Sequence, residues 1–368
     1  MSGVENDEGD VLLDAIMALV PPLLDAMEAL GFIGRRLHPP HFSELIDSVG
    51  NADAGVRAGL QAFGAIAWPD DLARFRMLVE TAAEAVCQAF EGLRAARTDP
   101  NGIIAAYRAL RFYSRAAEAL YPVTRMLPPV SQYFLEPASR GDAALSARIG
   151  AADLNREHIG VLHASNEKGM RGGCSIYVPE YYDPNVATPL IVALHGGSGH
   201  GRDTLWSWIA NARSRGAILV APTSLGDTWS LMEPDLDNQN LHRILSHVFD
   251  TWNIDRSHML LTGMSDGGTF AYVLGLNSGS PFTHLAPIAA SFHPFLLEMA
   301  DPARIKDLPV YITHGALDWM FPADMARVAN RALSGAGAKV VYREIADLSH
   351  TYPRDENPRI MDWFLARQ

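Results

Sequence analysis

A serine stands between two glycines, directly behind an apolar run. The motif is Gly263-Met264-Ser265-Asp266-Gly267, and it follows His258-Met259-Leu260-Leu261-Thr262. This arrangement predicts a sharp turn from a buried strand into a helix, where small neighbours let the serine adopt a strained backbone conformation. A serine hydroxyl held in this way can attack a carbonyl carbon when a base removes its proton. We therefore predict that Ser265 is a nucleophile.

A histidine and an aspartate follow later strand-like runs and could together activate this serine. His350 comes after the run Lys339–Ile345 and is the predicted general base. Asp318 comes directly after the run Pro309–Thr313. A carboxylate in that position can hold the imidazole tautomer and stabilise the positive charge that forms during the reaction. The sequence thus predicts a catalytic triad of Ser265, Asp318 and His350.

A glycine-rich turn, His195-Gly196-Gly197-Ser198-Gly199, follows another apolar strand. Main-chain N–H groups in such a turn can stabilise a developing oxyanion. We expect Gly197 to donate one N–H, with Ser198 as the neighbouring alternative, and Asp266 to donate the other. His195 is expected to support this turn beside the substrate and not to act as the base.

Aromatic residues follow the same strand ends. Trp229, Phe292 and Trp319, together with His195, are predicted to line the substrate pocket. Ordinary packing of their rings on the sheet is the alternative. No long insertion separates Phe292 from the strand before Asp318, which favours short or medium esters as substrates.

The part of the chain after about residue 150 alternates strand-like runs with helical stretches. The predicted strands are Ser175–Pro179, Pro189–Leu194, Ala217–Pro222, Met259–Thr262, His284–Ala289, Pro309–Thr313 and Lys339–Ile345. Alternation of this kind predicts a mostly parallel sheet with helices on both faces. Such sheets bind ligands at the carboxyl ends of their strands, where every predicted catalytic residue lies.

The first 150 residues show almost no strand signal. Apolar residues recur at helical spacing over 72–93 and over 103–121, which predicts an antiparallel pair of helices. Two earlier helices, Val11–Val20 and Leu23–Ile33, are expected to break at Pro21-Pro22. We therefore predict an all-α domain over residues 1–150 and an α/β domain over 151–368. The helical domain is predicted to form a homodimer, to pack structurally or to cover the site.

Composition narrows the classes of partner. The net charge of −12 argues against nucleic-acid binding, and a mean hydropathy of +0.00 suits a globular protein.

The two cysteines form no disulfide framework, and the acidic N-terminus is unlike a secretory signal, so we expect a cytoplasmic protein. The run Val11–Val20 is too short and too charged for a membrane span. No zinc motif His-Glu-x-x-His or phosphate-binding Gly-Lys-Ser/Thr occurs, so neither metal nor cofactor is predicted.

Residues 170–368 resemble the α/β-hydrolase superfamily, and most of all its esterase, phospholipase/carboxylesterase and polyhydroxybutyrate-depolymerase-like branch. The resemblance is carried by Leu194-His195-Gly196-Gly197, Asn253-Ile254-Asp255, Gly263–Gly268, His314-Gly315 with Asp318, and Ser349-His350. It implies an α/β-hydrolase fold and a Ser-His-Asp triad, but no particular substrate. The leading hypothesis is a serine carboxylesterase acting on short-to-medium carboxylic esters through an acyl-enzyme.

Several other functions fit the same triad: a thioesterase, a polyester depolymerase, a peptidase and an acyltransferase. An alternative of a different class is a non-catalytic interaction protein with a hydrolase fold, and the intact triad argues against it. One residue departs from the pattern, because many relatives carry Gln or Ala where this chain has Asp266. A carboxylate beside the oxyanion hole would disfavour negatively charged acyl groups. The helical first part carries no resemblance.

Overall fold

The computed structural model describes residues 2–153 and 156–366. The chain divides into two compact units, Met1–Phe134 and Leu135–Gln368. The predicted boundary was residue 150, so the structure assigns residues 135–150 to the second unit instead. The reason is Glu136, which is buried and accepts hydrogen bonds from Asn211 at 2.8 Å and Arg215 at 2.9 Å, both in that unit.

The first unit is helical throughout its described residues. Its helices are α1 (Ser2–Arg36), α2 (Phe42–Val49), α3 (Ala54–Ala65), α4 (Ala73–Ala96), α5 (Gly102–Leu120) and α6 (Pro128–Tyr133). The predicted pair of helices is confirmed as α4 and α5, which pack against each other across a short connection. Their backbones approach closely at Gly92, where a Cβ would lie 2.8 Å from the Cβ of Ala109.

The predicted break at Pro21-Pro22 is wrong, because α1 continues through both prolines. A proline inside a helix removes a hydrogen bond and costs about 3 kcal/mol. Packing against α3 offsets this cost. Gly59 of α3 lies so close that a Cβ there would be 2.4 Å from the carbonyl oxygen of Ala18, and Gly55 faces the Pro22 ring. The two glycines let α3 approach the α1 backbone where the prolines interrupt its hydrogen bonds.

Because α1 is unbroken, its length has to be compared with that of a membrane-spanning helix. The stretch Gly9–Arg36 is long and apolar enough to cross a bilayer, judged by length and composition. Core helices of helical bundles pass the same test, and α1 buries Leu19, Leu23, Met27 and Leu30 while packing on α3, α4 and α5. The absence of a membrane span stays a prediction.

The second unit is built on one eight-stranded sheet. Its strands are β1 (Gly160–Ala164), β2 (Cys174–Val178), β3 (Thr188–Leu194), β4 (Ile218–Pro222), β5 (Ile254–Met264), β6 (His284–Ile288), β7 (Pro309–Gly315) and β8 (Lys339–Ile345). The order across the sheet is β1-β2-β4-β3-β5-β6-β7-β8. The strands from β4 to β8 run parallel, whereas β1 and β2 are antiparallel to their neighbours. The seven predicted strands and the mostly parallel sheet are confirmed, and β1 was missed.

Helices cover both faces of this sheet. The helices of this unit are α7 (Ala143–Gly150), α8 (Gly201–Arg215), α9 (Asp235–Thr251), α10 (Asp266–Gly275), α11 (Phe295–Met299), α12 (Pro302–Ile305), α13 (Asp324–Gly335) and α14 (Asn357–Leu365). The chain moves from β3 to β4 in one direction and then returns past β3 to β5. Because parallel crossovers are right-handed, this reversal places α8 on one face and α9, α10 and α13 on the other. The reversal point is where such sheets bind ligands.

Both faces of the central strands are buried. Leu190, Val192 and Leu194 of β3 join the core cluster that includes α9, α10 and α13. Ile191 and Ala193, which alternate with them, are equally buried but point to the opposite face. The sheet is therefore rigid, and the carboxyl ends of its parallel strands all lie at the same edge of the sheet.

Candidate active site

Ser265 occupies a strained turn between β5 and α10. Its backbone has φ 56° and ψ −123°, a conformation that non-glycine residues rarely adopt. The turn is tight because Gly263 and Gly267 touch: a Cβ at Gly263 would lie 2.6 Å from the backbone of Gly267. A Cβ at Gly267 would in turn lie 2.4 Å from the carbonyl oxygen of His195. Both glycines are required for α10 to start directly behind the sheet.

The structure brings Ser265, His350 and Asp318 together in one hydrogen-bonded chain. The Ser265 Oγ lies 3.1 Å from Nε2 of His350, and Nδ1 of His350 lies 2.8 Å from Oδ2 of Asp318. Three different strand ends supply these residues, after β5, β7 and β8. The loop that carries His350 is held close to β7, because a Cβ at Gly315 would lie 2.2 Å from the carbonyl oxygen of Leu348.

Asp318 is buried and held in place by several donors. Its Oδ1 accepts the main-chain N–H groups of Met320 at 2.9 Å and Phe321 at 2.8 Å. Burial by itself would raise the pKa of Asp318, but the hydrogen bonds from His350 and Phe321 hold it below its ordinary value. An ionised Asp318 requires Nδ1 of His350 to carry its proton, which leaves Nε2 free to accept the proton of Ser265.

His314 is a second buried histidine beside Asp318. Its Nε2 lies 2.8 Å from the carbonyl oxygen of Phe321 and 3.4 Å from Oδ2 of Asp318. Since a carbonyl oxygen can only accept, Nε2 of His314 carries the proton. His314 thus supports the turn that presents Asp318. The motif His314-Gly315 contributes to the family resemblance, but no sequence signal predicts this role of His314.

Two N–H groups of the turn after β3 are already used. Gly199 donates its N–H to the carbonyl oxygen of Gly196 at 3.0 Å. Ser198 donates its N–H to the carbonyl oxygen of Asp227 at 2.9 Å. Within the described part of the chain, the N–H of Gly197 makes no hydrogen bond. Gly197 and Ser198 were the two candidates for the first oxyanion donor. Of these two, only Gly197 has an N–H that is available to a ligand. The first N–H groups of α10, including that of Asp266, are also free of helical partners by their position.

No protein-family model matches the chain. The bifunctional acetylxylan esterase/xylanase XynS20E of Neocallimastix patriciarum is 25% identical over 205 residues, which are 52% of this chain. The match covers only 28% of that relative's length.

Solved structures with a similar fold are more distant in sequence. A thermostable esterase is 22% identical, with a TM-score of 0.46 over 55% of this chain and 61% of its own. The fluorophosphonate-binding serine hydrolase FphF of Staphylococcus aureus is 15% identical, with a TM-score of 0.46 over 56% of this chain and 98% of its own. A ferulic acid esterase from Anaeromyces mucronatus is 14% identical, with a TM-score of 0.44 over 55% and 89%.

The molecule's own topology defines its fold. The sheet order, the antiparallel β2, the strained serine behind β5 and the order Ser265, Asp318, His350 along the strand ends occur together. The second unit has the α/β-hydrolase fold. The expected α/β-hydrolase fold, preceded by a helical region, is thereby confirmed.

Three of the four predicted pocket residues of the hydrolase domain are buried in its core instead. His195 has both ring nitrogens engaged, Nδ1 with the carbonyl oxygen of Gly196 at 2.7 Å and Nε2 with the N–H of Ser224 at 3.0 Å. Burial lowers the pKa of His195 to about 4, so its ring is neutral. Trp229 donates its indole N–H to the carbonyl oxygen of His195 at 2.7 Å. His195 and Trp229 pack against the turn after β3. All the polar atoms of their side chains are engaged by other groups of the protein.

Phe292 and Trp319 have opposite surroundings. The Phe292 ring is 6% exposed and packs edge-on against Tyr272 at 4.9 Å. Trp319 is 43% exposed and follows Asp318 directly. Of the four predicted pocket residues, Trp319 alone offers an aromatic surface to a ligand. Leu317 and Met320 beside it are exposed to a similar extent.

The loop after β4 is held by polar contacts that no sequence motif predicted. Thr228 donates its hydroxyl hydrogen to Oδ2 of Asp266 at 2.6 Å. Asp237 is buried and accepts the N–H groups of Leu225 and Ser230, each at 2.8 Å. The guanidinium of Arg171 donates to the carbonyl oxygen of Gly199 at 2.7 Å. It also donates to two oxygens of the loop after β4, the Ser224 hydroxyl and the Gly226 carbonyl. These residues bind the loop to the turn after β3, and no local motif marks them.

Proposed function

We propose that the hydrolase domain is a serine carboxylesterase that cleaves short-to-medium carboxylic esters through an acyl-enzyme. One observation carries the proposal: the chain of hydrogen bonds from Ser265 through His350 to Asp318, mounted on a strained turn. The relative from Neocallimastix patriciarum has acetylxylan esterase in its name, which supports an ester as substrate.

The steps follow from the geometry of these three residues. Ser265 Oγ attacks the ester carbonyl carbon while its proton passes to Nε2 of His350. His350 then gives this proton to the leaving alkoxide, which departs as the alcohol and leaves the acyl group on Ser265. A water molecule, deprotonated by His350, attacks the acyl-enzyme and releases the carboxylic acid. Asp318 holds the imidazole and stabilises its positive charge in both halves.

Stabilisation of the oxyanion is assigned to the N–H groups of Gly197 and Asp266. The first is unused within the described residues, and the second lies at the start of α10, where the helix dipole is positive. The region between β6 and β7 contains only the short helices α11 and α12, which favours an open site and short acyl chains.

The test compares serine variants in ester hydrolysis. We expect Ser265→Ala to lower kcat for p-nitrophenyl acetate and butyrate at least about a thousandfold while the circular dichroism spectrum is unchanged. Ser257→Ala is the matched control, because Ser257 is exposed and bonds only with Asp255 and His258 among the described residues. A folded Ser265→Ala variant with wild-type turnover would overturn the proposal. Thioester and anilide analogues in the same assay separate an esterase from a thioesterase or a peptidase.

A further inference from the structure

Asp266 places a carboxylate directly beside the nucleophile and the oxyanion turn. Its Oδ2 is only 2.8 Å from the position that a Cβ on Gly197 would take, so the carboxylate touches the Gly197 backbone. Asp266 is partly exposed at this turn. Any acyl group attached to Ser265, with its oxygen bound between the N–H groups of Gly197 and Asp266, lies close to this carboxylate.

The orientation of the Asp266 side chain is held by its surroundings. Thr228 donates to Oδ2 at 2.6 Å, and the loop of Thr228 is itself anchored by the buried Asp237. The other carboxylate oxygen accepts no hydrogen bond from any residue that the structure describes. One oxygen thus fixes the rotamer, and the other is not engaged by any hydrogen-bond donor among the described residues.

The charge of Asp266 has no cationic partner in the described part of the chain, since no ion pair there includes it. Arg171 is bound to three oxygens of the neighbouring loops. The start of α10 compensates a carboxylate only in part, because a helix N-terminus carries about half a positive charge. The site therefore carries a negative charge where the acyl group must lie.

We propose that Asp266 determines acyl specificity by charge: the site rejects esters with an anionic acyl group and accepts neutral or cationic ones. This inference rests on the proposed esterase function and narrows its substrate class. Two unit charges at 4 to 8 Å in a partly buried site interact strongly enough to change a rate by about tenfold to several hundredfold. The acyl group remains on Ser265 between acylation and deacylation. Repulsion between Asp266 and an anionic acyl group therefore acts in both half-reactions.

The experiment compares three p-nitrophenyl esters of similar length. They are butyrate, which is neutral, hemisuccinate, which is anionic, and 4-(trimethylammonio)butyrate, which is cationic. For the wild type we expect kcat/KM for hemisuccinate to be at least about tenfold below butyrate, and the cationic ester to equal or exceed butyrate. Raising the salt concentration should narrow the difference only modestly, because partly buried charges are poorly screened.

Two variants with the same change in net charge test the residue. Asp266→Asn keeps the shape and the bond from Thr228, and should lower the butyrate-to-hemisuccinate ratio about tenfold or more. Asp227→Asn is the matched control on the neighbouring loop, since the Asp227 side chain is exposed, and its ratio should stay within about twofold of the wild type.

The outcomes separate this inference from the esterase proposal. Equal rates for butyrate and hemisuccinate in the wild type would overturn the charge selectivity and leave the esterase function standing. Equal ratios in the wild type and in Asp266→Asn would assign the selectivity to the net charge of the protein and not to this residue. Failure of the wild type to hydrolyse any of the three esters would reject the esterase function itself.

Discussion

The three predicted catalytic side chains come from separate parts of the chain and meet within hydrogen-bond distance. Their residue types and their positions after strands were sufficient to predict this, because parallel strands end at one edge of the sheet. The pocket residues were not predictable in the same way. An aromatic ring after a strand can turn outward, as Trp319 does, or inward, as Trp229 does. The choice for Trp229 depends on the carbonyl oxygen of His195, which is distant in sequence.

Gly197 provides a prediction at the residue scale. A Cβ there would lie 2.8 Å from Oδ2 of Asp266, an atom held in place by Thr228. We expect Gly197→Ala to move the turn and its N–H, and to lower kcat/KM for a neutral ester roughly tenfold to a thousandfold with little change in Tm. Steady-state kinetics on p-nitrophenyl butyrate measure this.

The control for Gly197 lies in the loop after β4. A Cβ on Gly226 would meet its nearest atom, the carbonyl oxygen of Thr228, at 3.4 Å, which is ordinary contact. Gly226→Ala should therefore keep near wild-type kinetics. Equal activity of the two variants would contradict the assignment of the Gly197 N–H to the oxyanion.

At the scale of elements, local signals predicted most helices and strands but failed where packing dominates. The pair Pro21-Pro22 predicts a break, yet α1 continues because Gly55 and Gly59 let α3 pack closely against it. The strand β1 was missed because only its pairing with β2 defines it. In both cases the deciding contact lies outside the segment, so propensity alone could not reveal it.

The junction of β3, β5 and α10 gives a prediction about stability. A Cβ at Gly267 would lie 2.4 Å from the carbonyl oxygen of His195 and 2.7 Å from that of Leu194. Because both atoms are backbone, Gly267→Ala must separate α10 from β3, and we expect a loss of about 3 kcal/mol in the free energy of unfolding. Denaturant unfolding followed by tryptophan fluorescence measures it.

A glycine in open space serves as the comparison. Gly335 ends α13 and would have nothing within 4 Å of an added Cβ. Gly335→Ala should change the free energy of unfolding by less than about 1 kcal/mol. If Gly267→Ala were equally mild, the close packing of the turn would not be a structural requirement.

For the whole molecule, two buried histidines connect stability to pH. Burial lowers the pKa of His195 and of His284 to about 4, against 6.5 in an unfolded chain. The unfolded state therefore binds more protons between pH 6.5 and 4, so the free energy of unfolding falls as the pH decreases through this range. Asp318, whose pKa is lowered, keeps its charge and adds nothing to the effect there.

The pH effect can be measured in the hydrolase domain itself, which contains six of the seven tryptophans. Between pH 7.5 and pH 5 we expect a loss of about 2 kcal/mol per buried histidine. His284→Gln should remove about half of this pH dependence, whereas His242→Gln, a change at an exposed position, should leave it intact. A pH dependence unchanged in His284→Gln would contradict the assignment.

The position of the boundary between the two units gives a prediction for fragments. A fragment of residues 135–368 keeps Glu136 with its partners Asn211 and Arg215, whereas a fragment of 151–368 loses it. Loss of Glu136 leaves the buried Asn211 amide without this acceptor, which costs about 1 to 3 kcal/mol, whereas Arg215 is 30% exposed and keeps Asp362 as a partner. We expect the longer fragment to be folded and the shorter one to melt at a clearly lower temperature. Equal melting temperatures would place the functional boundary near residue 150.

The proposed mechanism requires Ser265 to be an activated nucleophile. Intact-mass spectrometry after treatment with a fluorophosphonate, on the full chain and on Ser265→Ala, measures this reactivity, with peptide mapping to locate the adduct. We expect one adduct on the wild type, mapped to Ser265, and none on the variant. An adduct on another residue, or a folded wild type that stays unmodified, would contradict it.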